Sequence, residues 1–352
     1  MTTVATAERL DRGRRAALWA GGLAALLALS APVAIGLGPV PVAPGTVARV
    51  IAAHLTGGVE VTWTASEDSI VWLVRAPRVL LAAVVGAALA VSGVALQALV
   101  RNVLAEPYLL GVSSGASTGA AVTILFGASA GVGASSLTGS AFAGALAATA
   151  IVFALAGIGG RITSVRLLLS GVAVGYVLTA VTSFLIFASD TPEGARAVLF
   201  WLLGSLARAD WSAVGVAGGL LAAALAVLLL WARRLDALVL GDDTAHALGS
   251  PPARLRAQAL AVVALCVGAA VAVSGGIGFV GLVVPHVARL CAGGVHRRLL
   301  PVAALLGAVF LIWADVVART AFAPRELPIG IITAVLGAPF LLFLVRRVRS
   351  AS

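Results

Sequence analysis

The chain has 352 residues, few of which carry active-site chemistry, and their spacing narrows what they can do. Gly111-Val-Ser113-Ser-Gly115 has the G-x-S-x-G spacing of a nucleophile elbow, the sharp strand-to-helix turn that presents a hydrolase serine. Here it follows Pro107-Tyr108 and enters an apolar run, and only His286, far along the chain, could serve as its base. Gly111, Gly115 and Gly119 stand four apart and read instead as a flat helical stripe for close packing. An intramembrane serine hydrolase stays as the remote alternative. The 24 Lys+Arg residues are all arginine, which removes both the lysine of a phosphate loop and any Schiff base. His54, His246, His286 and His296 are scattered, and Cys266 and Cys291 have no neighbour at zinc or disulfide spacing. The expectation is a chain with no catalytic residue, no metal site and no cofactor of its own.

Two other groups of residues invite a role. In Leu240-Gly241-Asp242-Asp243-Thr244-Ala245-His246-Ala247-Leu248-Gly249-Ser250-Pro251-Pro252, Asp242 is placed to cap a helix and Asp243 to sit in its first turn. Gly249 and the two prolines stop that helix after about two turns. A helix so short does not stand alone, so it must dock on the chain's own surface or in a partner's groove. The second group is Arg75-Ala-Pro-Arg78 with Asp315 and Arg319. Asp315 and Arg319 can pair along one helix face, and the arginines read equally as headgroup anchors or as contacts for an acidic ligand or partner.

These residues are held by an apolar scaffold. The sequence is 61% hydrophobic and 11% charged, with a mean hydropathy of +1.09, against about 45–50% apolar and about 25% charged in soluble domains. Soluble enzyme, disordered tail and nucleic-acid module are excluded together, because in water this chain would expose far too much apolar surface. The net charge of +10 comes from arginine clusters between apolar runs, a topology signal and not a phosphate-binding stripe. Runs near 16–36, 79–99, 139–158, 167–187, 212–231, 256–274, 300–320 and 327–345 meet the about 20 residues a crossing needs. Weaker runs near 108–126 and 278–290 bring the count to ten. The alternation of a membrane β-barrel is absent. The fold class is therefore an all-α polytopic membrane protein, one domain over residues 1–352.

Under this layout 17 arginines lie on the side of both termini and 7 on the other, which puts both termini in the cytoplasm. Residues 1–15 form a cytoplasmic segment, 232–255 a cytoplasmic loop, and 37–74 the longest outer linker. Arg14-Arg15, an apolar run and Leu29-Ser30-Ala31 resemble a signal peptide, but nine further apolar segments favour a first helix that is retained. Ionisable groups are nearly missing inside the runs, where ion-coupled transporters usually keep one. A permease driven from outside fits, as does a passive channel.

Several motifs now converge on one family. Arg75-x-Pro-Arg78, Gly86-x-x-Leu89-x-x-Ser92-Gly93, Gln97, Asn102-x-Leu104-Ala105-Glu106-Pro107 and Leu110-Gly111-x-Ser113-x-Gly115 resemble the first signature block of the FecCD-type permeases. Gly278-Phe279-x-Gly281-Leu282-x-x-Pro285-His286-x-x-Arg289, Asp315-x-x-x-Arg319, Glu326-Leu327-Pro328-x-Gly330 and Gly337-Ala338-Pro339 resemble the second. The likeness runs from about 70 to 345. It implies the type II ABC importer permease fold and a homodimer in the cytoplasmic membrane of a bacterium, with the pathway at its axis. It also implies two cytoplasmic ATPase subunits that hold the ATP and Mg, and an extracytoplasmic binding protein. Cargo would be a ferric siderophore first, then cobalamin or haem. By the same resemblance, Leu240, Gly241, Asp242, Asp243, Thr244, Ala245, Leu248 and Gly249 form the ATPase-coupling helix. Arg75, Arg78 and Arg319 receive the binding protein, and Thr163 and Ser164 mark a cytoplasmic gate. One departure stands out: Val103 occupies the family's proline in Asn-Pro-Leu-Ala, which frees the φ of that turn.

Overall fold

The computed structural model describes residues 2–58, 60–127, 135–158, 163–189 and 191–349. In chain order the helices are α1 (Thr2–Gly36), α2 (Pro44–Thr56), α3 (Ala65–Asp68), α4 (Ala76–Val100), α5 (Val112–Phe126), α6 (Ser135–Gly157), α7 (Ser164–Phe187) and α8 (Pro192–Leu202). They continue with α9 (Trp211–Leu230), α10 (Ala232–Leu240), α11 (Asp242–Ala247), α12 (Pro252–Ser274), α13 (Val280–Ala292), α14 (His296–Thr320) and α15 (Ile329–Arg349). A wide π-type turn over Ser69–Arg75 leads into α4, and a tight 3₁₀ turn over Pro107–Leu110 leads into α5.

Among the described residues, seven helical stretches are long and apolar enough to cross a bilayer, and α5, α13 and the apolar part of α15 are shorter. These ten coincide with the ten apolar runs of the sequence. Helices are the form such runs must take, since no water in the hydrocarbon can satisfy a loose backbone N–H or C=O. The outer segment 37–74 is not open linker: it folds into α2 and α3, the latter closed by a capping box between Thr64 and Glu67.

Helix α4 is the central pillar, packed by α9, α12, α13 and α14. Its approach to two neighbours is backbone to backbone. A Cβ on Gly86 would lie 2.1 Å from the Gly307 carbonyl oxygen of α14, and one on Gly93 would lie 2.0 Å from that of Gly281 in α13. Between lipid-soluble helices such small-residue contact, not apolar burial, supplies the packing energy.

Between α12 and α13 the chain is not helical. Gly275 (φ 68°) and Phe279 (φ 68°) bracket this break, and Gly281 just beyond it meets α4 at Gly93, in the cytoplasmic third of that helix. Non-helical backbone at this depth needs protein partners, and it has them. The Tyr108 hydroxyl accepts from the Ile277 N–H (2.8 Å) and donates to the Ile277 carbonyl (2.9 Å), while a Glu106 carboxylate oxygen accepts from the Phe279 N–H (2.5 Å).

Candidate functional site

On the cytoplasmic side, α10 and α11 form a hairpin hinged at Gly241, whose φ of 126° is closed to residues with a Cβ. Ala245 is wholly buried, which seats α11 on the protein. Leu240 and Leu248, at its two ends, are 73% and 66% exposed. The short helix thus docks on its own chain and at the same time offers two large apolar side chains outward. Asp243 is exposed, and Thr244 and Gly241 are half-buried. Gly249 (φ 74°) turns the chain and the Ser250 N–H closes back on the Ala245 carbonyl at 2.9 Å.

The sequence expectation for Asp242 needs correction. Gly241, not Asp242, is the N-cap, and the Asp242 carboxylate makes no cap bond. It forms a two-pronged pair with Arg256 of α12, at 2.7 and 2.9 Å. A charge-assisted fork is about twice as strong as a neutral hydrogen bond, and it wins over capping.

Thr163 is the N-cap of α7, its hydroxyl accepting from the Arg166 N–H at 3.4 Å, and it is exposed. The Ser164 hydroxyl points toward the Leu99 carbonyl at the end of α4, 3.5 Å away. The pair therefore stands at the cytoplasmic mouth of α7, next to the foot of the pillar.

The outer arginines lie elsewhere than on the surface. Arg75, Arg78 and Arg319 are 5%, 8% and 2% exposed. Arg75 donates to the Ile35 and Gly36 carbonyls at 3.1 Å each and to Val40, and Arg319 donates to Ala34 (2.6 Å) and Leu37 (3.0 Å). Together they satisfy the last carbonyls of α1, where a helix leaves orphan acceptors and a negative dipole end. Arg78 pairs with Asp315 (3.0 Å) and Glu326 (2.9 Å). Arg319 Nε lies 3.4 Å from Asp315 without hydrogen-bond alignment. In this conformation the three guanidinium groups clasp α1, α4 and α14 and are buried within the chain. Exposed charges of the outer side include Arg49, Glu193, Arg196, Arg208, Asp210 and Arg325.

The glycine stripe divides into two roles. A Cβ on Gly115 or Gly119 would come within 2.3 or 2.2 Å of α6 backbone, at Gly144 and Ser140, so both are packing glycines. Gly111 is not: its nearest neighbours would be 3.6 Å away, and its φ of 72° marks the turn that starts α5. Ser113 lies in the first turn of α5, behind a 3₁₀ turn, and His286 packs edge-on against Phe340. Among the described residues no strand precedes Ser113, so the elbow geometry is unmet.

An outer cleft of about 280 Å³, lined among others by Trp201, Arg208, Asp210 and Glu326, lies against Ser274 and Gly275. An apolar hollow of about 350 Å³, lined by Leu203, Gly278, Phe279, Ile331 and Val335, lies along the same break. The segments that cross here meet backbone to backbone, for a Cβ on Gly275 would sit 2.3 Å from the Trp201 carbonyl and one on Gly330 2.4 Å from that of Leu203. Sequence reasoning missed this crossing and its supports, Glu106 and Tyr108. The signal was the cluster Gly275-Gly276-x-Gly278. Sequence reasoning named Gln97 and Arg289 in the signature blocks without a role; Gln97 accepts from Arg289 at 2.6 Å and fastens α13 to α4.

The sequence matches the FecCD transport family over residues 25–347. It is 46% identical over 277 residues to the cobalamin import system permease protein BtuC of Halobacterium salinarum, covering 79% of this chain and 73% of that protein. It is 44% identical over 294 residues to the hemin transport system permease protein HmuU of Yersinia pestis, covering 82% and 87%. Among solved structures, an inward-facing metal-chelate type ABC transporter superposes with a TM-score of 0.80 at 32% identity, over 93% of this chain and 98% of that one.

Proposed function

As the chain belongs to the FecCD transport family and is the multi-pass membrane permease of an ABC importer, we propose that it carries a large metal chelate into the cytoplasm. Two copies would meet around the pathway, driven by two separate ATPase subunits and fed by an extracytoplasmic binding protein. The ATPases would hold the ATP and Mg, and this chain none. Sequence reasoning put a ferric siderophore first. Similarity to permeases named for cobalamin and hemin moves those chelates ahead, cobalamin first.

The observation that carries the reading is the pair of exposed leucines, Leu240 and Leu248, that flank a six-residue helix tied into the bundle. An apolar pair held out on a short, anchored helix suits insertion into a groove of an ATPase. Thr163 and Ser164 would close the cytoplasmic mouth nearby. At the outer end the binding protein would meet Arg208 and Arg325, with Arg75, Arg78 and Arg319 holding the frame from beneath. Helix α7 supports a pathway between two copies. Its exposed face carries Tyr176, Thr179 and Ser183, spaced three and four apart on one side of the helix.

The test is uptake in cells with and without this chain, offered labelled cobalamin, labelled hemin and a labelled ferric siderophore in turn. Loss of uptake of one chelate on deletion, restored by wild type but not by Leu240→Asp with Leu248→Asp, is the expected result. Full uptake by the double variant would sink the coupling role, and unchanged uptake of all three would sink the cargo class.

A further inference from the structure

We propose that Arg256 is a positioning residue that links movement of α11 to the cytoplasmic ends of α4 and α7. This rests on the importer reading above, because it needs an ATPase to move α11.

Arg256 is 3% exposed, although it stands one turn into α12 at the cytoplasmic edge. All of its donors in this network are aimed at two places. The two Nη atoms hold the Asp242 carboxylate at the first residue of α11, at 2.7 and 2.9 Å, and Nε donates to the Leu99 carbonyl at 3.1 Å. Leu99 is the penultimate residue of α4, where the carbonyls have no helical partner of their own. The Ser164 hydroxyl shares that same oxygen, at a longer 3.5 Å. Arg101, in a left-handed turn just past α4, adds a weaker contact to Asp242 at 3.9 Å.

One guanidinium therefore joins the helix that carries the exposed leucines, the foot of the central pillar and the first residue of α7. Among the described residues no other side chain of α11 makes such a connection: Ala245 is buried, Thr244 is half-buried, and Asp243 and His246 are exposed. The fork geometry matters as well as the charge. Arginine presents donors on both edges of a rigid plane, so Asp242 and Leu99 are held at a fixed distance, which a lysine ammonium on a flexible stem does not do. A displacement of α11 is then passed on as a pull on the α4 terminus, and Ser164 follows through the shared oxygen. If the fork only seated α11, its loss would loosen the complex. If it transmits movement, its loss would leave ATP hydrolysis running and separate it from transport.

The experiment uses the full chain co-expressed with its ATPase, purified and reconstituted in liposomes with the binding protein. Its cargo is whichever of cobalamin, hemin and ferric siderophore the wild type carries. Three quantities are read: ATPase bound per permease, basal ATP hydrolysis, and cargo moved per ATP. For Arg256→Gln the first two should stay near wild type while cargo per ATP falls about tenfold, the scale of a coupling free energy. Arg256→Lys should keep the charge and still lose most of the coupling. Ser164→Ala, which removes one half-buried hydroxyl, should lose about two- to threefold. Combining it with Arg256→Gln should add nothing, because the two act in series. Unchanged cargo per ATP in Arg256→Gln, or deficits that multiply in the double variant, would overturn the proposal. Should Arg256→Gln not assemble, Ser164→Ala decides it, and an unchanged ratio there overturns it equally. Wild type that moves no cargo on ATP would instead defeat the importer reading, a separate outcome.

Discussion

Helices α7 and α9 are equally bare: each leaves all but 17% of its apolar window unburied by the rest of the chain. What they bare differs. Outward on α9 lie Gly215, Val216, Gly219, Ala222, Ala223 and Leu230, and the only hydroxyl is Ser212 at its outer end. Outward on α7 lie Val172, Val177 and Val181, but also Tyr176, Thr179 and Ser183, which carry hydroxyls into the middle of the span. A helix against acyl chains gains nothing from hydroxyls, while one beside a hydrated pathway or a second copy can use them. Exposure alone thus does not distinguish the two helices; the composition of the exposed stripe does, although the Thr179 hydroxyl also donates to the Gly175 carbonyl of its own helix at 2.8 Å.

The largest effect that tests this contrast is a buried charge. Arginine at the centre of a lipid-facing helix costs about 2.5–3.5 kcal/mol on insertion scales. Ala222→Arg in α9 should therefore lower the membrane-inserted yield severely, read by quantitative blotting of the membrane fraction. If its face lines the proposed pathway, Tyr176→Arg in α7, at a similar depth, should insert near normally and block cargo uptake. Equal yields for the two variants would erase the distinction, and a reversal would exchange the roles of the helices.

Much of this was open to sequence reasoning, and what was not has identifiable causes. The ten apolar helices are readable because run length is a property of the local chain, and α11 is readable because Gly241, Gly249, Pro251 and Pro252 punctuate it. Asp242 was misread as a cap because a cap is a local event, whereas its real partner, Arg256, is 14 residues away and competes on paper with Arg233, Arg234 and Arg254. The burial of Arg75 and Arg319 was not readable because their acceptors are backbone carbonyls of α1, about which side-chain identities say nothing. The break at Gly275–Phe279 left only its glycines as a trace, since Tyr108 and Glu106 reach it from more than 160 residues away, at separations of 169 and 173.

A smaller effect tests the hydroxyl stripe itself. Thr179→Ala with Ser183→Ala should leave yield and thermal stability unchanged, since surface-type changes stay within about 0.5 kcal/mol. Initial uptake should slow by about threefold, the size of one or two modest hydrogen bonds to a passing solute or its water. The matching change on α9, Ser212→Ala, should leave uptake alone. Slowing by both, or by neither, would remove the stripe from the pathway.

The smallest effect concerns how α9 is held at its outer end, where Trp211 also packs on Trp72 and donates to its carbonyl at 3.0 Å. Asp210 is its N-cap, accepting from the Ala213 N–H at 2.7 Å. That backbone bond, with help from Ser212, pulls the Asp210 carboxyl below its ordinary value. A carboxylate whose folded value is depressed stabilises the folded state above its unfolded value, and loses that contribution as pH falls through the folded one. Asp210→Ala should accordingly cost about 1 kcal/mol at neutral pH, the usual size of a lost cap, read as a lowered unfolding midpoint in detergent. Asp210→Asn keeps an acceptor and should recover most of the loss. The gap between wild type and Asp210→Ala should shrink only on acidification below the ordinary carboxylate range. A gap that held constant into strong acid would mean that Asp210 acts through something other than its charge, and that the Trp211–Trp72 contact is what anchors α9 at this end.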